Sequence, residues 1–306
     1  MIYTVTLNPA LDYVIAMKSF AAGRINRNET EHIFCGGKGV NVSLILNELE
    51  TESVALGFTA GFTGVSLEEG LRRSGITTDF VHVSQGMTRI NVKIHAEQET
   101  EINGTGPLIT ENDFQILIAK LKRLGEGDIL VLSGSIPSCM ESDAYERILR
   151  AVDPEVQCVV DAEKHLLQKA LAYHPFLIKP NHMELGELFG TVLNSEAEIV
   201  ECGRKLQESG ARNVLISMAK DGAILLDEAS HVYRIKAVKG TAVNSVGAGD
   251  SMVAGFLAGY LRKGSYEYAL RLGTACGGAT AFRSGLADRT AIEETLALTA
   301  MPESLA

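Results

Sequence analysis

From residue 110 onward the chain repeats one unit: a short apolar or β-branched run, a turn, then a stretch with helical spacing of its apolar residues. Runs at 129–132, 156–160, 176–178, 213–217, 222–227 and 231–236 read as strands. Between and after them, stretches at about 110–124, 141–152, 163–172, 183–189, 195–209, 248–262, 266–284 and 290–298 read as helices. Thr110-x-x-Asp113 and Ser195-x-x-Glu198 have the spacing of helix-opening capping boxes. Parallel strands need a crossover between them, and a helix supplies it. Strands this apolar, alternating with helices through short connections, predict a doubly wound, mainly parallel sheet between helical layers, an α/β fold.

The first hundred residues fit the same plan with one departure. Ile2 to Leu7 reads as a buried strand stopped by Asn8-Pro9, followed by a helix at 40–50, a strand at 54–58, a helix at 65–74 and an extended piece at 76–83. Residues 13–34 alternate weakly and offer no good helix. Residues 88–95 and 100–102 alternate polar with apolar, as half-exposed antiparallel strands do. The two stretches predict a small separate sheet, and nothing reads as a linker or repeat, so residues 1–306 form a single domain.

A net charge of −10 argues against non-specific binding to nucleic acid or to a membrane surface, and it requires any phosphorylated ligand to be held by cations gathered locally. No apolar run reaches the roughly 18 residues that a membrane span needs. Five scattered cysteines without a C-x-x-C pair fit reduced thiols, so the expectation is a cytoplasmic protein.

Three glycine or polar turns carry candidate chemistry. In Asn244-Ser245-Val246-Gly247-Ala248-Gly249-Asp250-Ser251, the glycines allow a sharp turn into the apolar run that follows. A helix starting there would offer unpaired N–H groups and a positive dipole end to an anion, with Asp250 beside it. The plainer alternative is a turn with Asp250 as an ordinary cap. Gly36-Gly37-Lys38-Gly39-Val40-Asn41 lacks the Walker A spacing, yet it joins close backbone approach to a point charge and an amide; a glycine hinge with a solvated lysine is the alternative. Lys179-Pro180-Asn181-His182-Met183-Glu184 follows a strand. Its Asn181 and Glu184 share one helix face, where they could order a hydrated Mg²⁺ or merely cap the helix. Asp12 stands at the C-terminal end of the first strand, on the edge where parallel sheets bind ligands.

Together these stretches resemble the PfkB family of sugar kinases. Gly36 to Asn41 is similar to that family's first signature, Val246 to Ser251 to its second, and Asn181-x-x-Glu184 to its magnesium and phosphate motif. Thr6-Leu7-Asn8-Pro9-Ala10-Leu11-Asp12, Thr88-Arg89-Ile90-Asn91-Val92-Lys93 and Thr100-Glu101-Ile102-Asn103-Gly104 add to the resemblance, which runs across nearly the whole chain. It implies a ribokinase-like three-layer α/β/α fold with a small β-sheet lid built from about 12–35 and 87–104. The implied reaction is transfer of a phosphoryl group from Mg·ATP to the C6 hydroxyl of fructose 1-phosphate, a phosphorylated ketohexose. Tagatose 6-phosphate is the alternative acceptor, and a regulator without catalysis the alternative of a different kind.

The roles follow from the same resemblance. Asp250 would take the hydroxyl proton, and the N–H groups of Gly247, Ala248 and Gly249 would hold the charge on the transferring group. Asn181 and Glu184 would order Mg²⁺. Lys179, Asn181, Ser217, Gly222 and Gly249 would line the ATP site, with Gly278 near the adenine. Asp12, Asn41, Gly36 and Gly37 would meet the sugar, Lys38 and Arg89 its phosphate, with Arg27 and Asn103 adding to them. Pairing through the lid would make a homodimer.

Overall fold

The structure is a computed structural model describing residues 1–305. In chain order the first part comprises β1 (Ile2–Thr6), β2 (Ala10–Ala16), β3 (Thr30–Gly36), α1 (Lys38–Glu48), β4 (Ser53–Ala60), α2 (Gly61–Arg73), β5 (Thr77–Thr78), β6 (Val81–Val83), β7 (Arg89–His95) and β8 (Glu99–Asn103). Then come α3 (Glu111–Leu121), β9 (Ile129–Ser133), α4 (Ala144–Ala151), β10 (Gln157–Asp161), α5 (Lys164–Ala170), β11 (Leu177–Ile178), α6 (His182–Phe189) and α7 (Glu196–Glu208). The chain closes with β12 (Asn213–Ser217), β13 (Ala223–Leu226), β14 (Val232–Ile235), α8 (Ala248–Lys263), α9 (Tyr266–Ala281), α10 (Arg289–Leu298) and β15 (Glu303–Leu305).

The main sheet runs β15-β14-β13-β12-β11-β10-β9-β1-β4-β5, with β6 pairing β4. It is parallel from β5 through β12 and antiparallel from β12 to β15. Every residue of β9 is buried, as a strand covered on both faces must be. One face packs against α3, α4 and α5 through Phe114, Ile148 and Leu167. The other packs against α1, α8 and α9 through Ile45, Phe256 and Leu270, giving the three layers of a ribokinase-like α/β fold. Hydrogen-bonded to β4 on one side and β9 on the other, β1 is where the strand order turns outward in both directions. Such a switch point opens a crevice at the carboxyl ends of the strands.

The second sheet, β3-β2-β7-β8, uses the two stretches that broke the alternation. Its outer pairs are antiparallel hairpins, and β2 runs parallel to β7. A small core of Leu11, Val40, Leu67, Leu71 and Phe80 fastens its base to the main body. That core also explains one local difference from the sequence reading. The single extended piece expected at 76–83 splits into β5 and β6 because Phe80 turns inward between them, 4% exposed. The edge strand β15, in the last residues described, had no sequence signal.

Candidate active site

The helix α8 begins on a backbone only glycine adopts comfortably. Gly247 has φ 79 and caps the helix without a side chain, and a Cβ there would lie 2.6 Å from Leu286 Cδ2. Upstream, Asn244 Oδ1 accepts from the Val246 amide at 2.9 Å, while Asn244 Nδ2 donates to the Ser284 carbonyl, which fixes the loop. The Ala248 N–H is partly engaged by Ser245 O at 3.3 Å, whereas those of Gly249 and Asp250 meet no acceptor among the described residues. The positive end of a helix of 16 residues is therefore open to the cleft. Gly249 serves a second need: Lys179 Nζ passes 3.1 Å from where its Cβ would stand.

Asp250 is buried in the first turn, 5% exposed, and accepts a 2.8 Å hydrogen bond from Asn41 Nδ2. Burial first, and then repulsion from Asp161, push its carboxyl up to about 6. The Asn41 hydrogen bond and the charges of Lys38 and Lys179 oppose that rise. Asp161, the last residue of β10, lies 3.4 Å from Lys38 Nζ and 3.5 Å from Lys179 Nζ. Burial would raise Asp161, but the two ammonium groups outweigh it and hold the carboxyl below its usual range. Burial likewise works against the charge on Lys38, yet Asp161, Asp250 and Glu184 together raise it. The two carboxylates are thus driven apart, one a permanent anion and the other a group poised to exchange a proton.

The Gly36-Gly37-Lys38-Gly39 stretch packs the start of α1 onto the end of β1. A Cβ at Gly37 would lie 2.7 Å from Thr6 Cγ2, and one at Gly39 would lie 2.6 Å from Thr6 Oγ1. Thr6 Oγ1 in turn accepts from the Val40 amide, which sets the helix so that Asn41 reaches Asp250. A Cβ at Gly36 would sit 2.6 Å from Asp12 Oδ2, so the glycine leaves room for that carboxylate. Asp12 is held by Asn91 Nδ2 at 2.9 Å and Lys93 Nζ at 3.1 Å. Arg89 donates its Nε to the Asn8 carbonyl at 3.0 Å.

At the far end, Asn181 caps α6 with its Oδ1 accepting from the Met183 and Glu184 amides, and Glu184 Oε2 accepts from the Asn181 amide. The capping alternative therefore describes how this pair is arranged. The Asn181 amide oxygen is committed, whereas Glu184 Oε1 has no protein partner among the described residues. Ser217 bridges to Asn181 at the end of β12. Gly222 has φ 95, and a Cβ there would lie 2.1 Å from Ile235 O, so only glycine closes the turn into β13. A Cβ on Gly278 would find only Thr295 Cγ2, at 3.6 Å, which leaves space beside α9.

One cavity of about 1140 Å³ joins these groups. It is lined by Asp12, Gly37, Lys38, Asn41, Arg89 and Asn103, by Lys179, Asn181, Glu184, Ser217, Gly222 and Gly278, and by Gly247 through Asp250. Of the residues singled out in the sequence, Gly36 lies behind Asp12 rather than on the wall. Arg27 is elsewhere, exposed on the loop between β2 and β3 and away from this cavity. Lys38, expected at the sugar phosphate, lies on the wall and pairs with Asp161 at 3.4 Å. Asp161, Asn91, Lys93 and Asn8 were not singled out. Asp161 had a usable signal, since it ends a parallel strand. Asp12, expected at the end of the first strand, lies inside β2 because Asn8-Pro9 stops β1 at Thr6 and the chain crosses to the small sheet. Asn91 and Lys93 owe their place to pairing between distant strands.

A helix N-terminus open to an anion, a buried proton acceptor beside it and lysines on the same cleft define a phosphotransferase acting on an alcohol. The family comparison agrees: the model described as "pfkB family carbohydrate kinase" matches residues 5–292. The chain belongs to the pfkB family of carbohydrate kinases and is a kinase, for which ATP is the phosphoryl donor. It is 47% identical over 297 residues to the 1-phosphofructokinase of Bacillus subtilis (strain 168), covering 97% of each chain. It is 40% identical over 297 residues to the D-tagatose-1-phosphate kinase of Bacillus licheniformis, covering 96% of this chain and 97% of that one. Among solved structures it is similar to phosphofructokinase-2 from Escherichia coli in complex with substrates and products, with a TM-score of 0.90 and 27% identity over 97% of this chain and 98% of that one.

Proposed function

We propose that this kinase transfers the γ-phosphoryl group of ATP to the C6 hydroxyl of fructose 1-phosphate, giving fructose 1,6-bisphosphate and ADP. The observation that carries the chemistry is Asp250, buried at the open start of α8 and oriented by Asn41. Asp250 takes the proton of the C6 hydroxyl as its oxygen bonds to the γ-phosphorus and the bond to the β-phosphate oxygen breaks. The Gly249 and Asp250 amides, with the backbone at Gly247 and Ala248, face the charge on the moving group. Lys38 and Lys179, held by Asp161, stand on the donor's side of that transfer. Ser217 and Gly222 border the nucleotide, with Gly278 leaving room for its base. Asp12, Asn41 and Asn103 face the sugar hydroxyls, and Arg89 its phosphate. The choice of acceptor rests on the 47% identity to a protein named for it.

Magnesium fits the donor set, which is of hard oxygens. Glu184 Oε1 is uncommitted and Asp161 Oδ2 is buried without a partner. We assign the ion to these two rather than to Asn181. No cluster of three or more His, Cys, Asp or Glu forms among the described residues, in keeping with an ion held by one or two carboxylates and the substrate phosphates. Bound there, the ion would neutralise charge on the nucleotide phosphates.

The relative at 40% identity gives a second reading, in which the acceptor is tagatose 1-phosphate. This moves the tagatose alternative from the 6-phosphate to the 1-phosphate. The two 1-phosphates differ only in configuration at C4. Steady-state kinetics on both, with the product's new phosphate located by NMR, decide between them. We expect a higher kcat/KM for fructose 1-phosphate and a phosphate on C6. A higher value for tagatose 1-phosphate would move the assignment.

The small sheet also supports a homodimer. Tyr13, Val92, Ile33 and Ile102 form one cross-strand row on the face of that sheet turned away from the cleft, with Ile33 and Ile102 exposed. Free cysteines and the lack, among the described residues, of a helix able to cross a membrane support a cytoplasmic setting.

A further inference from the structure

The small sheet presents its cleft side as a polar patch set by strand register. Parallel pairing of β2 with β7 puts Asp12 opposite Asn91, and antiparallel pairing of β7 with β8 puts Asn91 opposite Asn103. With side chains alternating between faces, Arg89, Asn91 and Lys93 project to the same side, and all three line the cavity. Lys93 is the cation of this patch to which the reaction above gives no part. Its ammonium lies 3.1 Å from Asp12 Oδ2, and both side chains are only 16% exposed. Removing two charges this far from water is costly, so a pair so placed has a use beyond simple cohesion of the sheet. Asn91, which holds the other Asp12 oxygen, keeps its own Oδ1 buried and without a partner.

We propose that Lys93, together with Arg89, binds the phosphate of the acceptor sugar, and that Asp12 holds the lysine until that phosphate arrives. This rests on the reading of the acceptor as a ketohexose 1-phosphate. A phosphate monoester carries about −1.5 to −2 at neutral pH, more than one cation balances. Lys38 and Lys179 are both within 3.5 Å of Asp161, on the side the reading above gives to the donor. Lys220 and Lys239 line the cavity from the segments after β12 and β14, which the reading above gives to the nucleotide. Among the described residues on the cavity wall, that leaves Arg89 and Lys93 on the small sheet. Arg89 spends only its Nε on Asn8 O, so its two terminal nitrogens remain for a ligand.

The pairing also makes a discriminator. When a sugar phosphate enters, Lys93 exchanges a carboxylate for a phosphate, while Asp12, still held by Asn91, turns its freed oxygen to a sugar hydroxyl. Every charge keeps a partner. A sugar without phosphate can claim Asp12 only by breaking the ion pair and leaving Lys93 buried with nothing in exchange. The lysine thereby penalises the unphosphorylated sugar as well as attracting the phosphorylated one.

The test uses the full-length enzyme and the variants Lys93→Met and Lys93→Arg. Each is assayed with fructose 1-phosphate and with fructose, the latter both as acceptor and as competitive inhibitor, and KM for ATP is measured at saturating acceptor. Lys93→Met is expected to lower kcat/KM for fructose 1-phosphate by about 10²-fold, mostly through KM, with the ATP KM changed less than about 2-fold. The preference for fructose 1-phosphate over fructose should shrink by a similar factor, and Lys93→Arg should restore a large part of it. Equal losses on the two sugars, leaving the preference intact, would mean that Lys93 acts only by steadying Asp12 and would overturn the proposal. An unchanged KM for the sugar phosphate would overturn it as well. If Lys93→Met does not fold, Lys93→Gln takes its place with the same readouts: a shrunken preference restored in Lys93→Arg supports the proposal, and an intact preference overturns it. Failure of the acceptor assignment shows separately, as a wild-type preference for another sugar phosphate. The comparison is then made between that compound and its parent sugar.

Discussion

Asp250 must be an anion to take a proton, yet it lies where charge is costly. Burial and the neighbouring Asp161 drive its carboxyl up to about 6; Asn41, Lys38 and Lys179 keep it from going higher. The sign for activity follows directly. The base is active when deprotonated, so kcat/KM, which reports the free enzyme, should be full above pH 7 and fall as pH drops through about 6. Replacing Asp161 by Asn removes a repulsive charge and frees two lysines to act on Asp250. The Asp250 carboxyl, titrated by NMR in enzyme free of metal and nucleotide, should therefore protonate at lower pH in that variant; a titration that stays put or moves up would disprove this electrostatic assignment. At this scale the sequence was only partly readable. Asp250, Asn41, Asp12 and Glu184 sit in local motifs with recognisable spacing. Asp161 and Lys93 become part of the site through ion pairs to residues on other elements, 123 positions away in the case of Asp161 and Lys38. Spacing along the chain carries no trace of such pairs.

Elements whose causes are local were the most legible. The capping boxes of α3 and α7 formed where Thr110-x-x-Asp113 and Ser195-x-x-Glu198 announced them. The Asp221-Gly222 step joins an antiparallel pair, β12 and β13, as Asp-Gly between two apolar runs does. The small sheet was legible as alternation but not as topology. Its central pairing joins β2 to β7 from opposite sides of an intervening helical region, and what selects that parallel register is the shared core under Leu11, Ile90 and Phe80. The exposed row on the outer side of this sheet carries a prediction of its own. Light scattering should give twice the chain mass for the wild type and a shift toward the monomer for Ile33→Asp, which places a charge at the end of that row, in the face a dimer would cover. A wild-type monomer at micromolar concentration would refute the homodimer.

The whole molecule brings two anionic substrates together in a chain of net charge −10 by placing its cations in two groups. Lys38 and Lys179 stand around Asp161 at the carboxyl ends of the central strands, and Arg89 and Lys93 stand on the small sheet that faces them across the cleft. The main sheet supplies the rigid edge, and α8 supplies its open N-terminus between the groups. Asp250 is the one proton acceptor at that meeting point, so the mechanism depends on it more than on any other residue. The most direct measurement is steady-state turnover of Asp250→Asn with fructose 1-phosphate, beside its affinity for ATP. The substitution keeps an oxygen for Asn41 to bond and removes only the capacity to accept the proton. We predict that kcat falls by about 10²–10⁴-fold while ATP binds within about 3-fold of the wild type. A variant that turns over within about 10-fold of the wild type would contradict the assignment of Asp250 as the base.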